Sequence, residues 1–387
     1  MASNLVSDDT NNATDIFVRD WQTGETTRVS VTSDGTEAKG DSYHPSISAD
    51  GQFIAFESGA SNLVSGDSNG KFDVFVHDQK SGKTILVSAA WKDMSWNDAG
   101  NDHSFSPSIS ADGRFVAFAS RATDLVPRGT NGKTHIFVRD LETNQTMLVS
   151  VDSAGIEGDD HSANPSISGD GRYVAFSSYA RNLVSPATSG SQHIFVHDRD
   201  EGATFLISAA SDGTEGNGMS NNPSITADGS LVAFESNASN LVLGDTNDDT
   251  DIFVHNRLTG RTDRVSVASN GMEGNRGSFY PSISGDGRFV SFSSKASNLA
   301  PVEDNDYFNI FLHDRQTSQT TLVSAAWDGS PADDDSSKPS ISGDGRHLAF
   351  ESLASNLVPG DETEHSDVFL KELRVFDYFN YMPLILH

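Results

Sequence analysis

The sequence predicts an all-β fold built from repeated antiparallel units, and three observations support this prediction. The element Pro-Ser-Ile-Ser-x-Asp-Gly, or a close variant of it, occurs six times in the 387 residues. Its copies begin at Pro45, Pro107, Pro165, Pro223, Pro281 and Pro339, so the first interval is 62 residues and each of the next four is 58. Self-similarity at a fixed period indicates a repeat architecture. An almost wholly apolar run follows each copy, as expected for a strand covered on both faces.

Each repeat contains four predicted strands in a fixed order. The first strand ends in Ser-Ile-Ser, and Asp-Gly forms a tight turn because glycine accepts a positive φ. The second strand is predicted at residues 53–56, 115–118, 173–176, 231–234, 289–292 and 347–350. The third, of the form Asp-Ile-Phe-Val-His/Arg-Asp, is predicted at residues 15–20, 73–78, 135–140, 193–198, 251–256, 309–314 and 367–372. The fourth, rich in β-branched residues, is predicted at residues 28–31, 85–88, 147–151, 205–208, 264–267 and 322–324.

Six repeats of four strands predict a six-bladed β-propeller of four-stranded antiparallel blades. A single such sheet cannot bury both faces, whereas radial stacking of sheets buries them and leaves only short edges. The chain begins with a third and a fourth strand and ends with a first, a second and a third. We therefore expect N-terminal strands to complete the last blade and close the ring, which disfavours an open β-solenoid. Residues 15–20 and 367–372 compete for the same place in that blade, and the sequence does not decide between them.

The repeated element Pro-Ser-Ile-Ser-x-Asp-Gly-Arg-x-x-x-Phe resembles the WD-like repeat of TolB-type six-bladed propellers. The family pattern has Pro before Asp-Gly, whereas every copy here has Ala or Gly at that position. The resemblance covers about residues 2–372, and we expect residues 1–372 to form a single propeller domain. Residues 373–387 form an apolar tail outside the repeat pattern. The resemblance implies a periplasmic or extracellular location, and it is more specific for fold than for function, since propellers host many activities.

The composition limits the partners that this protein can have. A net charge of −29 disfavours nucleic acid, whose phosphates attract clustered Lys and Arg, and it disfavours anionic membranes. The absence of cysteine excludes disulfides and thiol chemistry. No apolar stretch has the length of a membrane span, so we expect no membrane insertion. We expect an acidic, strongly hydrated protein that attracts cations and is a monomer.

The loop that joins the second strand of each repeat to the third has the pattern Asp-x-Asn-x-x-x-Asp, which is complete in three copies and degraded in the others. Alternating oxygen side chains closed by a carboxylate can wrap a hard cation, so these loops are candidate Ca²⁺ sites. Asx-turns in a polar loop are the alternative explanation. The candidate metal ligands are Asp9, Asn11 and Asp15; Asp67, Asn69 and Asp73; and Asp245, Asn247, Asp249 and Asp251.

Another loop, the one that enters each Pro-Ser-Ile-Ser element, is the candidate ligand-binding surface. A serine three residues before the proline is common to all six copies, while the residues beside it differ. Variable side chains on a repeated frame are where specific recognition is expected, and these loops should emerge on the axial face. The candidate ligand-binding residues are Tyr43, His44, His103, Phe105, His161, Phe279, Tyr280 and Lys338.

Four histidines share one position of the third strand with Arg19 and Arg139. They are His77, His197, His255 and His313. Equivalent positions in a ring are far apart, so we interpret these side chains as spanning the gap between blades and not as a metal cluster.

Three hypotheses about function follow from these features. The first is a non-enzymatic binding or scaffold propeller, stabilised by Ca²⁺, that recognises a protein or glycan partner on its axial face. The second is a hydrolase of esterase or peptidase type at the axial opening, with no catalytic residue assigned. Its general bases would be sought among His44, His103 and His161, near Asp41, Asp102 and Asp160. The third is a scaffold domain of a larger peptidase-like protein.

Overall fold

The protein is described by a computed structural model covering residues 4–91, 98–301, 304–361 and 365–373. All 25 regular elements of this part of the chain are β-strands. The first two strands are β1 (Phe17–Asp20) and β2 (Glu25–Arg28). The next eight are β3 (Ser42–Ile47), β4 (Phe53–Ser58), β5 (Asp73–Asp78), β6 (Lys83–Leu86), β7 (Ser104–Ile109), β8 (Phe115–Ser120), β9 (His135–Asp140) and β10 (Gln145–Leu148).

The remaining strands repeat the same lengths and order. They are β11 (Ser162–Ile167), β12 (Tyr173–Ser178), β13 (His193–Asp198), β14 (Ala203–Leu206), β15 (Ser220–Ile225), β16 (Leu231–Ser236), β17 (Asp251–Asn256), β18 (Arg261–Arg264), β19 (Ser278–Ile283), β20 (Phe289–Ser294), β21 (Asn309–Asp314), β22 (Gln319–Leu322), β23 (Ser336–Ile341), β24 (His347–Ser352) and β25 (Asp367–Glu372).

These strands form the antiparallel sheets that the repeats predict. Five sheets have four strands in sequence order: β3 to β6, β7 to β10, β11 to β14, β15 to β18 and β19 to β22. Strands β23, β24 and β25 form a three-stranded sheet, and β1 pairs with β2 in a sheet of two strands. The sheets are the blades of a six-bladed β-propeller, which confirms the predicted fold class.

The strand pairing decides which segment takes the third place in the last sheet. Strand β25 pairs with β24 along its whole length, from His347 opposite Glu372 to Ser352 opposite Asp367. Strand β1 pairs with β2, from Phe17 opposite Arg28 to Asp20 opposite Glu25. The segment at residues 367–372 therefore holds the contested place, and completion of that blade by the N-terminal strands stays a prediction.

The fourth strand of each repeat begins two or three residues earlier than the sequence predicts. The segment predicted at residues 85–88 is β6, Lys83–Leu86. After β6 the main chain still donates from Val87 to the carbonyl of Val74 (2.8 Å). The hydroxyl of Ser88 then accepts from the Val74 N–H (3.0 Å), so a side chain replaces the backbone ladder at this point. The same serine ends the fourth strand in the other repeats. The β-branched composition of the segment does not reveal this end.

A stacked pair of phenylalanines lies at the centre of each sheet that contains both a second and a third strand. One ring comes from the second strand and the other from the third, directly opposite in the register, as for Phe234 and Phe253. Their ring centroids are 5.9 Å apart, and both side chains are fully buried. The same pairs recur as Phe56–Phe75, Phe118–Phe137, Phe176–Phe195, Phe292–Phe311 and Phe350–Phe369. The apolar runs in the sequence are therefore strands buried on both faces, as predicted.

The chain divides into two compact units. This division does not test the prediction of a single domain over residues 1–372. The first unit is Met1–Gly190 with Phe195–Phe205, and the second is Ser191–Ile194 with Leu206–His387. The predicted apolar tail lies almost wholly outside the described residues, which end at Leu373. Within the described ranges, no helix has the length and apolar character needed to cross a membrane.

Candidate functional site

The residue before each repeated proline adopts a left-handed backbone conformation. Its φ is +50° at His44, +53° at Ser106 and +51° at Asn164 in the first unit. In the second unit the corresponding φ values are +48° at Asn222, +54° at Tyr280 and +49° at Lys338. Each lies in a register shift between the first and second strands, as between Tyr43 and Ser46. We call these six residues the bulge residues.

A bulge re-aims side chains out of the regular pleat, and left-handed φ is uncommon for residues other than glycine. The same backbone is kept in all six repeats, while the side chain differs at almost every one. The exposed fraction of the side chain is 67% at His44 and 64% at Lys338. His44, Tyr280 and Lys338 are exposed, whereas the other three bulge residues are half-buried, so the same backbone frame presents three different side chains to solvent.

In the first unit, the predicted residues Tyr43 and His103 lie on either side of a phenylalanine. Tyr43 stacks on Phe72, with ring centroids 6.1 Å apart and an interplanar angle of 26°. The Phe72 ring lies 6.1 Å from the imidazole of His103. Tyr43 is 38% exposed. The sequence did not single out Phe72, whose position in the turn before β5 gives no periodic signal.

His44 and Ser106 are both bound by the carboxylate of Glu57, which lies in β4. His44 Nδ1 is 3.0 Å from Glu57 Oε1. The backbone N–H of Ser106, in the next sheet, donates to Glu57 Oε2 at 2.6 Å. One carboxylate thus fixes the backbone of one bulge residue and contacts the side chain of another. Phe105, beside Ser106, is half-buried.

The second unit repeats this arrangement with Glu235. The N–H of Tyr280 donates to Glu235 Oε2 (2.8 Å), and Asn222 Nδ2 donates to Glu235 Oε1 (2.9 Å). Burial raises the pKa of Glu235, and these two donors partly offset that effect. Tyr280 is 44% exposed, whereas its neighbour Phe279 packs edge-on against Phe308 at 5.9 Å. Sequence analysis found the two aromatic residues but not the glutamate that positions them.

Lys338 belongs to a third carboxylate contact of the same type. Its Nζ lies 3.0 Å from Glu351 Oε1, which also accepts from Ser337 Oγ (2.8 Å). Glu351 occupies in β24 the place that Glu57 has in β4 and Glu235 has in β16. The signal that could have found these acids is their shared position, which is Glu in three repeats and Ala or Ser in the others.

The imidazole rings of His103 and His161 accept hydrogen bonds from backbone N–H groups. His103 Nδ1 accepts from the Phe72 N–H at 3.0 Å, and His161 Nδ1 accepts from the Thr134 N–H at 2.9 Å. In the first repeat a carboxylate takes this place, and Asp41 Oδ1 accepts from the Thr14 N–H at 2.8 Å. A ring nitrogen that accepts a backbone hydrogen bond does not act as a general base, which disfavours these two histidines in that role.

The aspartates next to these histidines also bind main-chain donors. Asp102 Oδ1 accepts from the N–H of His103 (2.8 Å), and Asp160 Oδ1 accepts from the N–H of His161 (2.9 Å). Lys133 Nζ lies 3.3 Å from Asp160. These contacts orient the loop and do not pair either carboxylate with an imidazole ring.

The Asp-x-Asn loops are numbered here in chain order. They are loop 1 (9–15), loop 2 (67–73), loop 3 (129–135), loop 4 (187–193), loop 5 (245–251), loop 6 (303–309) and loop 7 (361–367). The central asparagine makes the predicted Asx-turn: in loop 1, the N–H of Ala13 donates to Asn11 Oδ1 at 2.8 Å. Its amide group also donates to Asp15 Oδ2 at 2.9 Å. Asn69 and Asn247 make the equivalent bonds in loops 2 and 5.

In loops 1 and 5 an arginine lies between the carboxylates. Arg264 Nη1 is 3.2 Å from both Asp245 Oδ1 and Asp251 Oδ2, and 2.7 Å from Glu273 Oε2. Burial raises the pKa of Asp251, and the guanidinium opposes that rise. In loop 5 Asp249 has a different role, because its Oδ1 accepts from the N–H of Thr250 (2.9 Å).

In loop 1, Arg28 lies between two aspartates and a glutamate, as Arg264 does in loop 5. Arg28 Nη1 lies 3.4 Å from Asp9 Oδ1, 3.9 Å from Asp15 Oδ2 and 3.1 Å from Glu37 Oε2. In both loops the chain itself supplies a cation at the place where the sequence suggested Ca²⁺. Metal binding by loops 1 and 5 stays a prediction. Within the described residues, no group of three or more His, Asp or Glu side chains is placed to hold a metal.

Loops 3 and 4 lack the pair of carboxylates. A histidine stands at the seventh position and contacts a glutamate: His193 Nε2 is 2.8 Å from Glu215 Oε1, and His135 Nε2 is 3.6 Å from Glu157 Oε2. Burial lowers the pKa of both imidazoles, and the glutamates partly offset this. These loops are closed by a neutral hydrogen-bonding group.

Loop 2 retains both aspartates. Asp73 is fully buried; it accepts from Ser88 Oγ (2.6 Å) and from Asn69 Nδ2 (2.7 Å). Burial raises the pKa of Asp73 to about 7, and the nearby charges of Asp67 and Asp124 add to the rise. Asp67 is 6% exposed, and burial raises the pKa of its carboxyl as well.

Comparison with known proteins gives similarity of fold. No family model matches the chain, and no curated protein does. Among solved structures, the β-propeller domain of the trilobed protease from Pyrococcus furiosus is 11% identical, with a TM-score of 0.51 over 85% of this chain and 82% of that one. A prolyl endopeptidase structure is 14% identical, with a TM-score of 0.50 over 86% of this chain and 42% of that one.

TolB from Acinetobacter baumannii is 17% identical to this chain, with a TM-score of 0.45. The match covers 79% of this chain and 58% of that one, so the chain spans little more than half the length of that protein. Identities this low are evidence for the fold alone. The six-bladed architecture of the structure confirms the predicted resemblance to TolB-type propellers at the level of the fold.

Proposed function

We propose that this protein is a non-enzymatic binding scaffold that recognises a segment of a protein partner through its bulge residues. The observation that carries the proposal is the repeated left-handed backbone at these positions, which holds an imidazole, a phenol, an ammonium group, a hydroxyl and amides on one frame. Backbone strain of this kind costs about 1–3 kcal/mol per residue, and such sites cluster where ligands bind.

The bulge itself could serve only the curvature of the sheet. That explanation accounts for the uniform backbone but not for the side chains, since asparagine or glycine would adopt it most easily in every copy. Tyrosine at 280 and histidine at 44 are less favourable choices that bring aromatic surface to an exposed position. Selection for contact with a partner explains why these residues are there.

A protein partner fits the chemistry of this surface better than a glycan. Tyr43 and Tyr280 offer partly exposed rings, which are enriched in protein interfaces. The carboxylate of Glu351 lies beside the ammonium group of Lys338, so this patch presents both charge signs, and the imidazole of His44 lies against the buried Glu57. Mixed charge of this type can pair with backbone and side-chain groups of a peptide. The predicted monomeric state and extracytoplasmic location belong to the same proposal.

Glycine substitution tests the proposal because it separates binding from folding. In His44→Gly, Tyr280→Gly and Lys338→Gly the new residue accepts the positive φ without strain, so the melting temperature should be unchanged or slightly higher. Binding should fall at least tenfold. The probes are a random peptide display library and a glycan array, with affinities of selected binders measured by calorimetry.

The matched control is Leu258→Ala, at an exposed position in the turn between β17 and β18. It should leave every affinity unchanged. Selected peptides that bind all three glycine variants with the affinity of the unsubstituted protein would refute the proposal. If the same variants lose the binding of glycans instead, the proposed binding surface stands but the partner is a glycan and not a protein.

The hydrolase hypothesis stays a prediction, with His44 as its remaining base. The imidazole of His44 lies against Glu57, whereas His103 and His161 use Nδ1 to accept backbone hydrogen bonds. In assays with ester and peptide substrates, we expect the unsubstituted protein and His44→Gly to show the same absence of turnover. Turnover lost in that variant, with folding intact, would favour the hydrolase.

A further inference from the structure

Among the described residues, loop 2 differs from loops 1 and 5 in having no arginine between its aspartates. All three loops have aspartate at the first and seventh positions and asparagine at the third. Loops 1 and 5 have an arginine at the end of the fourth strand, Arg28 or Arg264, opposite a phenylalanine of the third strand. The residue at that register in loop 2 is Leu86, opposite Phe75.

A second difference lies in the hairpin that follows the fourth strand. Isolated bridges pair Val31 with Glu37 and Val267 with Glu273 beside loops 1 and 5. The corresponding bridge beside loop 2 pairs Ala89 with Ala99. The arginine and its third carboxylate are thus both replaced by apolar residues. The acid pair of loop 2, Asp67 and Asp73, is left with no side-chain cation among the contacts that the structure describes.

Asp67 is the residue most affected by this loss. Its side chain is 94% buried, and within the described part of the chain neither carboxylate oxygen has a hydrogen-bond partner of ordinary geometry. The N–H of Asn69 is the donor that acts on its charge. An unpaired buried carboxylate is strongly unfavourable, so such groups are normally paired or bound to a metal.

The cation-binding space is defined by the two loops that contain an arginine. In loop 5, Arg264 Nη1 is 3.2 Å from one oxygen of each aspartate, so the two oxygens face a common point. In loop 2 the same two positions carry aspartates on the same backbone pattern, held by the equivalent asparagine bonds. A cleft of about 500 Å³, lined by Val64, Gly66 and Leu86 among others, gives solvent access beside the loop.

From these observations we propose that loop 2 binds one Ca²⁺ ion between Asp67 and Asp73, at the place that a guanidinium takes in loops 1 and 5. Calcium accepts six to eight oxygen ligands in a flexible geometry, and two carboxylates can supply up to four. Backbone carbonyls and water complete the shell. Magnesium demands a stricter octahedron and gives up its water reluctantly, so it fits a two-carboxylate loop less well. Because apolar residues replace both the arginine and the glutamate, this space is left to an external ion.

The test measures Ca²⁺ binding by calorimetry and by the melting temperature, with NaCl added to match ionic strength. The unsubstituted protein should bind Ca²⁺ through loop 2 and melt several degrees higher with it, because binding to the native state alone raises stability. Mg²⁺ should act at least tenfold more weakly. Asp67→Asn should abolish the Ca²⁺ effect.

A double substitution in loop 2 provides the decisive variant. Leu86→Arg with Ala99→Glu installs the internal cation of loop 5, and should remove the response to Ca²⁺ while raising the melting temperature of the metal-free protein. The reciprocal pair, Arg264→Leu with Glu273→Ala, should lower stability without Ca²⁺ and create a second binding site. The reciprocal pair keeps the proposal testable if the first double variant does not fold.

Two results would overturn the proposal. One is a melting temperature that Ca²⁺ leaves unchanged at matched ionic strength, with Asp67→Asn raising stability in the absence of metal. In that case a proton shared by Asp67 and Asp73 neutralises the pair. The other is a Ca²⁺ response that persists in Asp67→Asn, which would place the ion elsewhere.

Discussion

Acidification from pH 7 to pH 4 is expected to remove several kcal/mol of unfolding free energy through three buried histidines. Burial lowers the pKa of His197, His255 and His313 from 6.5 to about 4. In each, Nδ1 lies 2.8–2.9 Å from a threonine hydroxyl of the fourth strand. That hydroxyl donates to a carbonyl of the preceding sheet, as Thr262 Oγ1 does to Ala209 at 2.5 Å, so Nδ1 carries the proton.

The sign follows from the lowered pKa of the folded state. The neutral imidazole is favoured in the native protein, so its contribution is complete above pH 6.5 and is lost as the pH falls towards 4. A difference of about 2.5 pKa units corresponds to about 3 kcal/mol per histidine at most. Neighbouring charges are Asp198 and Arg199 at His197, Arg257 at His255, and Asp314 and Arg315 at His313. The raised pKa values of Glu235 and Asp73 act in the opposite direction.

Replacement of the three histidines by asparagine isolates their contribution. The asparagine amide can still donate towards the threonine but does not titrate. The triple variant should be less stable at pH 7 and should lose less stability between pH 6.5 and pH 4, as measured by denaturant unfolding. The remaining loss comes in part from His77, His135 and His193, whose pKa values burial also lowers. His365→Asn, at an exposed position, is the matched control. Equal loss of stability in the triple variant and the unsubstituted protein would contradict this account.

Phe253→Ala should lower the unfolding free energy by about 3–5 kcal/mol, as truncation of a buried phenylalanine usually does. Phe253 is fully buried and stacks on Phe234, so the substitution leaves a cavity that the neighbouring strands cannot fill. The melting temperature should fall by about 5 °C in a chain of this length. Phe253→Leu keeps most of the volume and should lose less than half as much. A loss below about 1 kcal/mol for the alanine variant would mean that the stacked pairs do not hold the sheets together.

The repeats made most of the fold predictable. Glycine turns and apolar runs at a fixed spacing located the second strands, and the segment predicted at residues 73–78 is β5. The third-strand histidines were predicted to span the gap between blades, but each bonds a threonine in the fourth strand of its own sheet, as His77 Nδ1 does with Thr84 Oγ1. The threonine makes the contact beyond the sheet, since Thr84 Oγ1 donates to the carbonyl of Val31. The fourth strands were placed too late because a serine side chain, and not the β-branched run, ends the ladder there.

The candidate site was predictable only in part, because its geometry depends on register. Tyr43, His44, Tyr280 and Lys338 were found as variable residues on a repeated frame. The glutamates that bind the bulge backbone lie on another strand, and only the register reveals that Glu57 reaches Ser106. The sequence did contain a signal for the arginines. Arg28 and Arg264 follow loops 1 and 5, which have both aspartates, whereas loop 2 has both aspartates but is followed by Leu86.

Hydrogen exchange on a complex with a selected peptide binder tests the central claim most directly. Binding at the bulge residues should protect the backbone amides at the start of the first strands, within Ser42–Ile47 or Ser278–Ile283. Amides of the Asp-Gly turns at the other end of these strands should exchange as fast as in the free protein. Protection confined to those turns, with the first strands unchanged, would show that the partner binds the opposite face.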